Sequence, residues 1–141
     1  MFKSILLAID INDPDGAVRC TKAAVQMVTS QSASLHILNV VPDDGMAIVS
    51  ASLKADHNET AVEASRTALR AWAQSNVPPE LAPQLHVARG KIYDQILKTA
   101  RKLNVDAIVV GAHNPELKDY LLGSNAARVA RHAKQSVFVI R

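Results

Sequence analysis

Cysteine is almost missing from this chain. Cys20 is the single one in 141 residues, so neither an internal disulfide nor a cysteine-based metal cluster can form. It stands on the apolar face of a predicted helix, where a buried spectator thiol is the plain expectation. Aromatic residues make up only 4%, and the basic residues are scattered. The net charge of +3 therefore suits a small anionic ligand and does not argue for nucleic acid. No apolar run approaches the roughly 20 residues of a membrane span. Met1-Phe2-Lys3 leads straight into Ser4-Ile5-Leu6-Leu7-Ala8-Ile9-Asp10, a run too short for a secretory signal and without a small-residue cleavage site before Asp10. A cytoplasmic protein is expected. His36, His57, His86 and His132 lack metal-ligand spacing and read as surface or internally satisfied histidines.

What is present is an apolar majority in ordered blocks. Hydrophobic residues reach 48%, enough for the packed core of a single domain over residues 1–141. Strands are predicted at Lys3–Ile9, Leu35–Val41, Leu85–Arg89, Ala107–Val110 and Val137–Ile140. Helices are predicted near Pro14–Thr29, Glu59–Gln74, Ile92–Leu103 and Ser124–Ala133. Strands alternating with helices at this spacing form βαβ units and a parallel sheet. Strands one, two and four are almost wholly apolar, as strands covered on both faces are. Leu85-His86-Val87-Ala88 alternates like an edge strand. The fold expected is a doubly wound parallel α/β sheet of five strands, order 3-2-1-4-5, with helices on both faces.

The first helix opens cleanly. Asp13 is placed to cap it, Pro14 fits its first turn, and Asp15 complements the dipole. Ala17, Cys20, Thr21, Ala24 and Val28 make one small-residue face. A dinucleotide fold would instead put glycines here to seat a pyrophosphate, and Asp10, Asp13 and Asp15 would repel one. A phosphate site must lie elsewhere.

The segment from Val105 to Arg141 supplies one. The strand Ala107–Val110 ends on Gly111, where backbone can be approached closely. Gly123-Ser124-Asn125 opens an amphipathic helix whose first N–H groups and positive dipole end face outward, a phosphate cradle. Gly123→Val should block that cradle and penalise the backbone. In the order 3-2-1-4-5 the switch point falls between strands one and four, so Asp10 and Gly111 both end at the crevice where open α/β sheets take ligands. Pro42 to His57 is the longest irregular stretch, either a flap over this crevice or a surface connection, with room for a short helix.

These residues resemble a known family. Ala8-Ile9-Asp10 closing strand one, Gly90 followed by Ile92 and Ile96, and Gly111…Gly123-Ser124-Asn125 with Arg131-His132-Ala133 are similar to the universal stress proteins. The likeness covers the whole chain and is greatest to the small single-domain bacterial members of the F and G type, which bind ATP. It implies the adenine nucleotide alpha hydrolase-like sheet, order 3-2-1-4-5. The family's nucleotide motif is Gly, two residues, Gly, nine residues, Gly, then Ser or Thr. Gly111 matches its first position and Gly123-Ser124 its end. Asn114 replaces the second glycine, eight residues separate it from Gly123, and Pro115 follows it. Asn tolerates a left-handed backbone, so a similar turn is expected.

The resemblance also implies roles. Ile9, Asp10 and Val40 would meet the adenine, and Gly111 with its loop the ribose and phosphates. Gly123, Ser124 and Asn125 would bind the β- and γ-phosphates. His113 and Asn114 belong to the same loop, and His113 either contacts phosphate or is solvated. Asp10 and Asp13 offer carboxylates to a Mg²⁺ arriving with ATP, although Asp13 also reads as a helix cap. Arg128, Arg131 and Lys91 read as solvated or as reaching the crevice. Trp72 fits an apolar stripe Ala61, Ser65, Ala68, Trp72.

Two function classes remain: an ATP-binding regulatory module of the stress response, dimeric through its last strand, or an enzyme of an adenine-nucleotide hydrolase or transferase class on the same fold. The enzyme lacks parts. Ser124 is not preceded by Gly-Lys, so there is no Walker lysine motif. There is no His-x-Gly-His and no Ser-Gly-Gly-x-Asp-Ser, and no residue pair makes an evident nucleophile and base. A phospho-receiver domain would end strand three on an Asp, where Ala88-Arg89-Gly90 stands. The expectation is a binding module, with at most very slow ATP hydrolysis. Val137-Phe138-Val139-Ile140 is a continuously apolar edge, and pairing with a two-fold mate would cover it.

Overall fold

A computed structural model describes residues 1–42, 51–112 and 123–141, and side chains of the second helix from residue 59 onward. The chain runs β1 (Ser4–Ile9), α1 (Pro14–Gln31), β2 (Ser34–Pro42), α2 (Ala51–Asn76), a 3-10 turn (Pro79–Leu81), β3 (Gln84–Gly90), α3 (Ile92–Leu103), β4 (Ala107–Gly111), α4 (Ser124–His132) and β5 (Ser136–Ile140). The five strands form one sheet in the order β3-β2-β1-β4-β5, and all pairings are parallel.

Successive strand residues point to opposite faces, and β1 shows why a continuous apolar run is needed. Ile5, Leu7 and Ile9 join Ala17, Cys20, Ala24 and Val28 of α1 and Leu69 of α2. Leu6 faces the other way, toward Ile96, Leu97 and Ala100 of α3 and Ala126 and Val129 of α4. The small face read for α1 is the buried one, and the Asp13 carboxylate accepts from the Gly16 N–H at its start.

α2 departs from expectation twice. It begins at Ala51, so the part of Pro42–His57 from Ala51 on is helix rather than irregular chain. Residues 43–50 lie outside the described residues. No Gly or Pro stands between Gly45 and Pro78, so nothing local stops the helix from extending backward. The buried stripe is also rotated. Ala68 is exposed, and Ser65, Leu69, Ala73 and the following Val77 are buried. Trp72 sits half-buried at the rim, its indole N–H donating to Thr21 Oγ1 at 3.4 Å.

One feature of the sheet positions the site. At the N-terminal end, Asp106 Oδ2 accepts from Lys3 N at 2.7 Å and Ser4 N at 3.0 Å, clamping β1 to the head of β4. At the other end the two strands part. They pair at Ile5↔Ala107, Leu6↔Ile108 and Leu7↔Val109 and no further. Ile9 remains paired to Asn39 on one side, and Gly111 to Ile140 on the other. The sheet opens into a wedge at the switch point. Among the described residues, no helix is long and apolar enough to cross a membrane.

Candidate functional site

The wedge is the floor of a cleft of about 410 Å³, within the usual size range of small-molecule sites. Its walls include Ile9, Asp10, Val40, Gly111, Gly123, Ser124 and Asn125. The structure thus brings these candidates to one place. His113 and Asn114, with Pro115, lie outside the described residues.

Each wall follows from local structure. Ile9 is buried and Asp10 exposed at the end of β1. Asp10 Oδ1 accepts from the Asn12 N–H at 2.9 Å and its carbonyl from Asp13 N at 3.0 Å, folding the chain back into α1. Asp13 lines the cleft as well, but its carboxylate caps α1. Among the described residues, no group of three or more His, Cys, Asp or Glu could hold a metal ion.

The glycines behave differently from the sequence expectation. Gly111 is not left bare for a ligand alone, because a Cβ built on it would stand 3.2 Å from Cys20 Sγ. The missing side chain lets α1 close against β4. Burial pushes the Cys20 thiol above its ordinary value, against the opposing influence of Arg19. Gly123 has φ −67° and ψ 158°, a conformation open to any residue, so the expected backbone penalty for Val does not hold. Its N–H donates to the Ala112 carbonyl at 3.0 Å. The outward donors are therefore those of Ser124, Asn125 and Ala126, the first turn of α4, which no side chain among the described residues caps.

The other cations resolve plainly. Arg128 lies over the Tyr93 ring at 4.8 Å, Arg131 and Lys91 are exposed, and none of the three lines the cleft.

Two contributors were missed. Arg19 lines the cleft from the second turn of α1. Its position one residue from Cys20 was readable, but which flank of the helix faces the crevice was not. Asn39 is 4% exposed within β2. Its Nδ2 donates to Ser65 Oγ at 2.7 Å and its Oδ1 accepts from Ile11 N at 3.3 Å, fixing the β1–α1 turn to α2. A lone amide inside an apolar strand is the signal that marks it, since a buried amide needs partners.

Residues 1–141 match the family model of the Universal stress protein family. The chain is 28% identical to universal stress protein G of Shigella flexneri over 146 residues, covering 100% of both chains. Among solved structures it is similar to universal stress protein UspA from Lactobacillus plantarum, with TM-score 0.79, 25% identity and 99% and 97% of the two chains covered. It shares its fold with a universal stress protein in complex with cAMP, at TM-score 0.62, 20% identity and 99% and 97% coverage. It does so too with that from Archaeoglobus fulgidus in complex with dAMP, at TM-score 0.55, 19% identity and 99% and 98% coverage. With its full length matched and its strand order shared, the chain belongs to the universal stress protein family.

Proposed function

We propose that this chain is a cytoplasmic, single-domain ATP-binding regulatory protein of the stress response. It works as a dimer and turns ATP over at most very slowly. The carrying observation is the convergence of Asp10, Gly111 and the first turn of α4 on one cleft, at the point where β1 and β4 part. Adenine-nucleotide complexes of fold neighbours support the ligand class.

In this reading Ile9 and Val40 flank the adenine, and the Asp10 carboxylate faces its polar edge or the ribose. Gly111 meets the ribose and phosphates, and His113 and Asn114, which lie outside the described residues, are assigned to the same contact by the family resemblance. Gly123, Ser124 and Asn125 receive them at the helix start, where N–H groups, a hydroxyl and the dipole favour anions. A Mg²⁺ would travel with the phosphates, with Asp10 as the candidate protein carboxylate, since that of Asp13 already caps a helix. Such a cation supplies charge neutralisation of the phosphate oxygens.

Calorimetry with nucleotide-stripped protein tests this. Saturable ATP binding, stronger than that of AMP, is expected. Folded protein that takes up no heat at millimolar ATP would overturn the reading. Mass spectrometry of nucleotide that co-purifies with the protein gives an independent answer.

A further inference from the structure

We propose that Arg19 recognises the charge of the nucleotide's phosphate chain, so that this cleft prefers a nucleoside polyphosphate to a monophosphate. The inference rests on the nucleotide reading above and adds a specificity-determining residue to it.

Arg19 is the only cationic side chain among the described residues that line the cleft. It is half-buried. Among the described residues it makes no hydrogen bond or ion pair, whereas Arg66 pairs with Glu63, Lys98 with Asp94, and Arg128 stacks on Tyr93. A guanidinium held at a cavity wall without a partner among the described residues is placed to take an anion from the cavity.

The charge balance of the cleft calls for one. Asp10 and Asp13 share the lining with Arg19. An anion entering beside two carboxylates meets an opposing field. The start of α4 offers only about half a positive charge, enough to favour one phosphate group and too little for a chain of them. Arg19 supplies the missing full charge, and its planar fork matches phosphate oxygens in a bidentate way that a lysine cannot.

Its backbone is also held in place. Cys20, the next residue, is 4% exposed and faces Gly111 across the gap that a Cβ would fill. This contact fixes the second turn of α1 against the end of β4. The side chain of Arg19 therefore starts from a fixed point beside the end of β4.

The test is calorimetric titration of the unmodified protein, Arg19→Gln and Arg19→Lys with ATP, ADP, AMP and adenosine, each protein checked for fold by circular dichroism. The unmodified protein should bind ATP at least tenfold more tightly than AMP. Arg19→Gln should weaken ATP roughly 10- to 100-fold, the range of a charge-assisted contact, while AMP and adenosine change by less than about threefold, too little for the loss of such a contact. Arg19→Lys should recover part of the ATP affinity and none of the difference due to the fork. Should the Gln variant fail to fold, the Lys variant carries the test, since it too must lose affinity for ATP and not for AMP. Unchanged ATP affinity, or equal losses for ATP and AMP, overturns the role of Arg19 while leaving the nucleotide reading intact. No binding of any of the four by the unmodified protein overturns both.

Discussion

His36 Nδ1 lies 3.0 Å from His86 Nε2, joining β2 to the edge strand β3. The rings tilt against each other at 30°, and His36 is 7% exposed. One ring must donate and the other accept, which requires at least one neutral imidazole. Burial holds both histidines below their ordinary value. His86 is lowered further by His36 and by Lys102 of α3.

This pair makes stability depend on pH in a definite direction. Both folded values lie below the unfolded value of about 6.5, so the unfolded chain binds protons first as pH falls. The contribution is complete above that value and is lost as pH drops through the folded values. Chemical denaturation between about pH 8 and pH 5, a span bracketing the histidine range, should show stability declining on the acid side. His36→Gln/His86→Gln should flatten the decline. An equal decline in the double variant would mean that carboxylates elsewhere cause it.

The contact of Gly111 with Cys20 should be visible as coupling. Gly111→Ala places a methyl 3.2 Å from Cys20 Sγ, tighter than ordinary packing. A loss of about 1 kcal/mol or more is expected from overpacking. Cys20→Ala removes the sulfur, and the double variant should regain much of the loss, a non-additivity that equilibrium unfolding measures.

At the helix start, Gly123→Val should abolish ATP binding and keep the fold, because the backbone there accepts a branched residue and only the phosphate space is lost. Ser124→Ala should cost about 1 kcal/mol of binding, the size of one hydrogen bond. Normal ATP affinity in Gly123→Val, read by calorimetry, would put the phosphates elsewhere.

Turnover should be slow. Phosphoryl transfer needs a positioned nucleophile and charge stabilisation at the transition state. The described lining offers no histidine as a base, and its carboxylates are Asp10 and Asp13, the latter capping α1. Steady-state ATP hydrolysis at about 1 s⁻¹ or faster, within the range of ordinary enzymes, would instead favour the hydrolase class.

β5 is an edge of the sheet, and its apolar side chains from Val137 to Ile140 are only half-buried. Association through it should appear as a dimer mass in light scattering at micromolar concentration. Val139→Lys should shift that mass toward monomer or destabilise the fold. A clean monomer for the unmodified protein counts against pairing there.

Most of the architecture was legible because β1, β2, β4 and β5 are mostly apolar runs, β3 alternates as an edge strand does, and each helix has its own period. Asp13, Pro14 and the face Ala17–Cys20–Ala24–Val28 said in advance how α1 begins and what it buries. The start of α2 at Ala51 was not legible, since Ser50 before it is a lone cap candidate, with Leu53 rather than Glu or Gln three residues on and no Pro at the first turn. The rotation of its stripe from Ala68 to Leu69 is a tertiary choice between adjacent apolar positions. In the site, Asp10 and Gly111 followed from strand order alone. Arg19 did not, because helix periodicity gives the buried face and leaves the flanks undecided. The His36–His86 contact spans 50 positions in sequence, and only the register of β2 with β3 creates it.

The clamp at Asp106 and the parting of β1 from β4 make the two halves of the sheet resemble shears joined at one end. Past Leu7 and Val109 no backbone pairing bridges them. A nucleotide in the wedge would become the missing rung, touching β1 and β2 with one end and β4 and α4 with the other. Its arrival should then slow amide exchange on both blades at once, far beyond the atoms it contacts. Nucleotide occupancy would then set how firmly the shears are held.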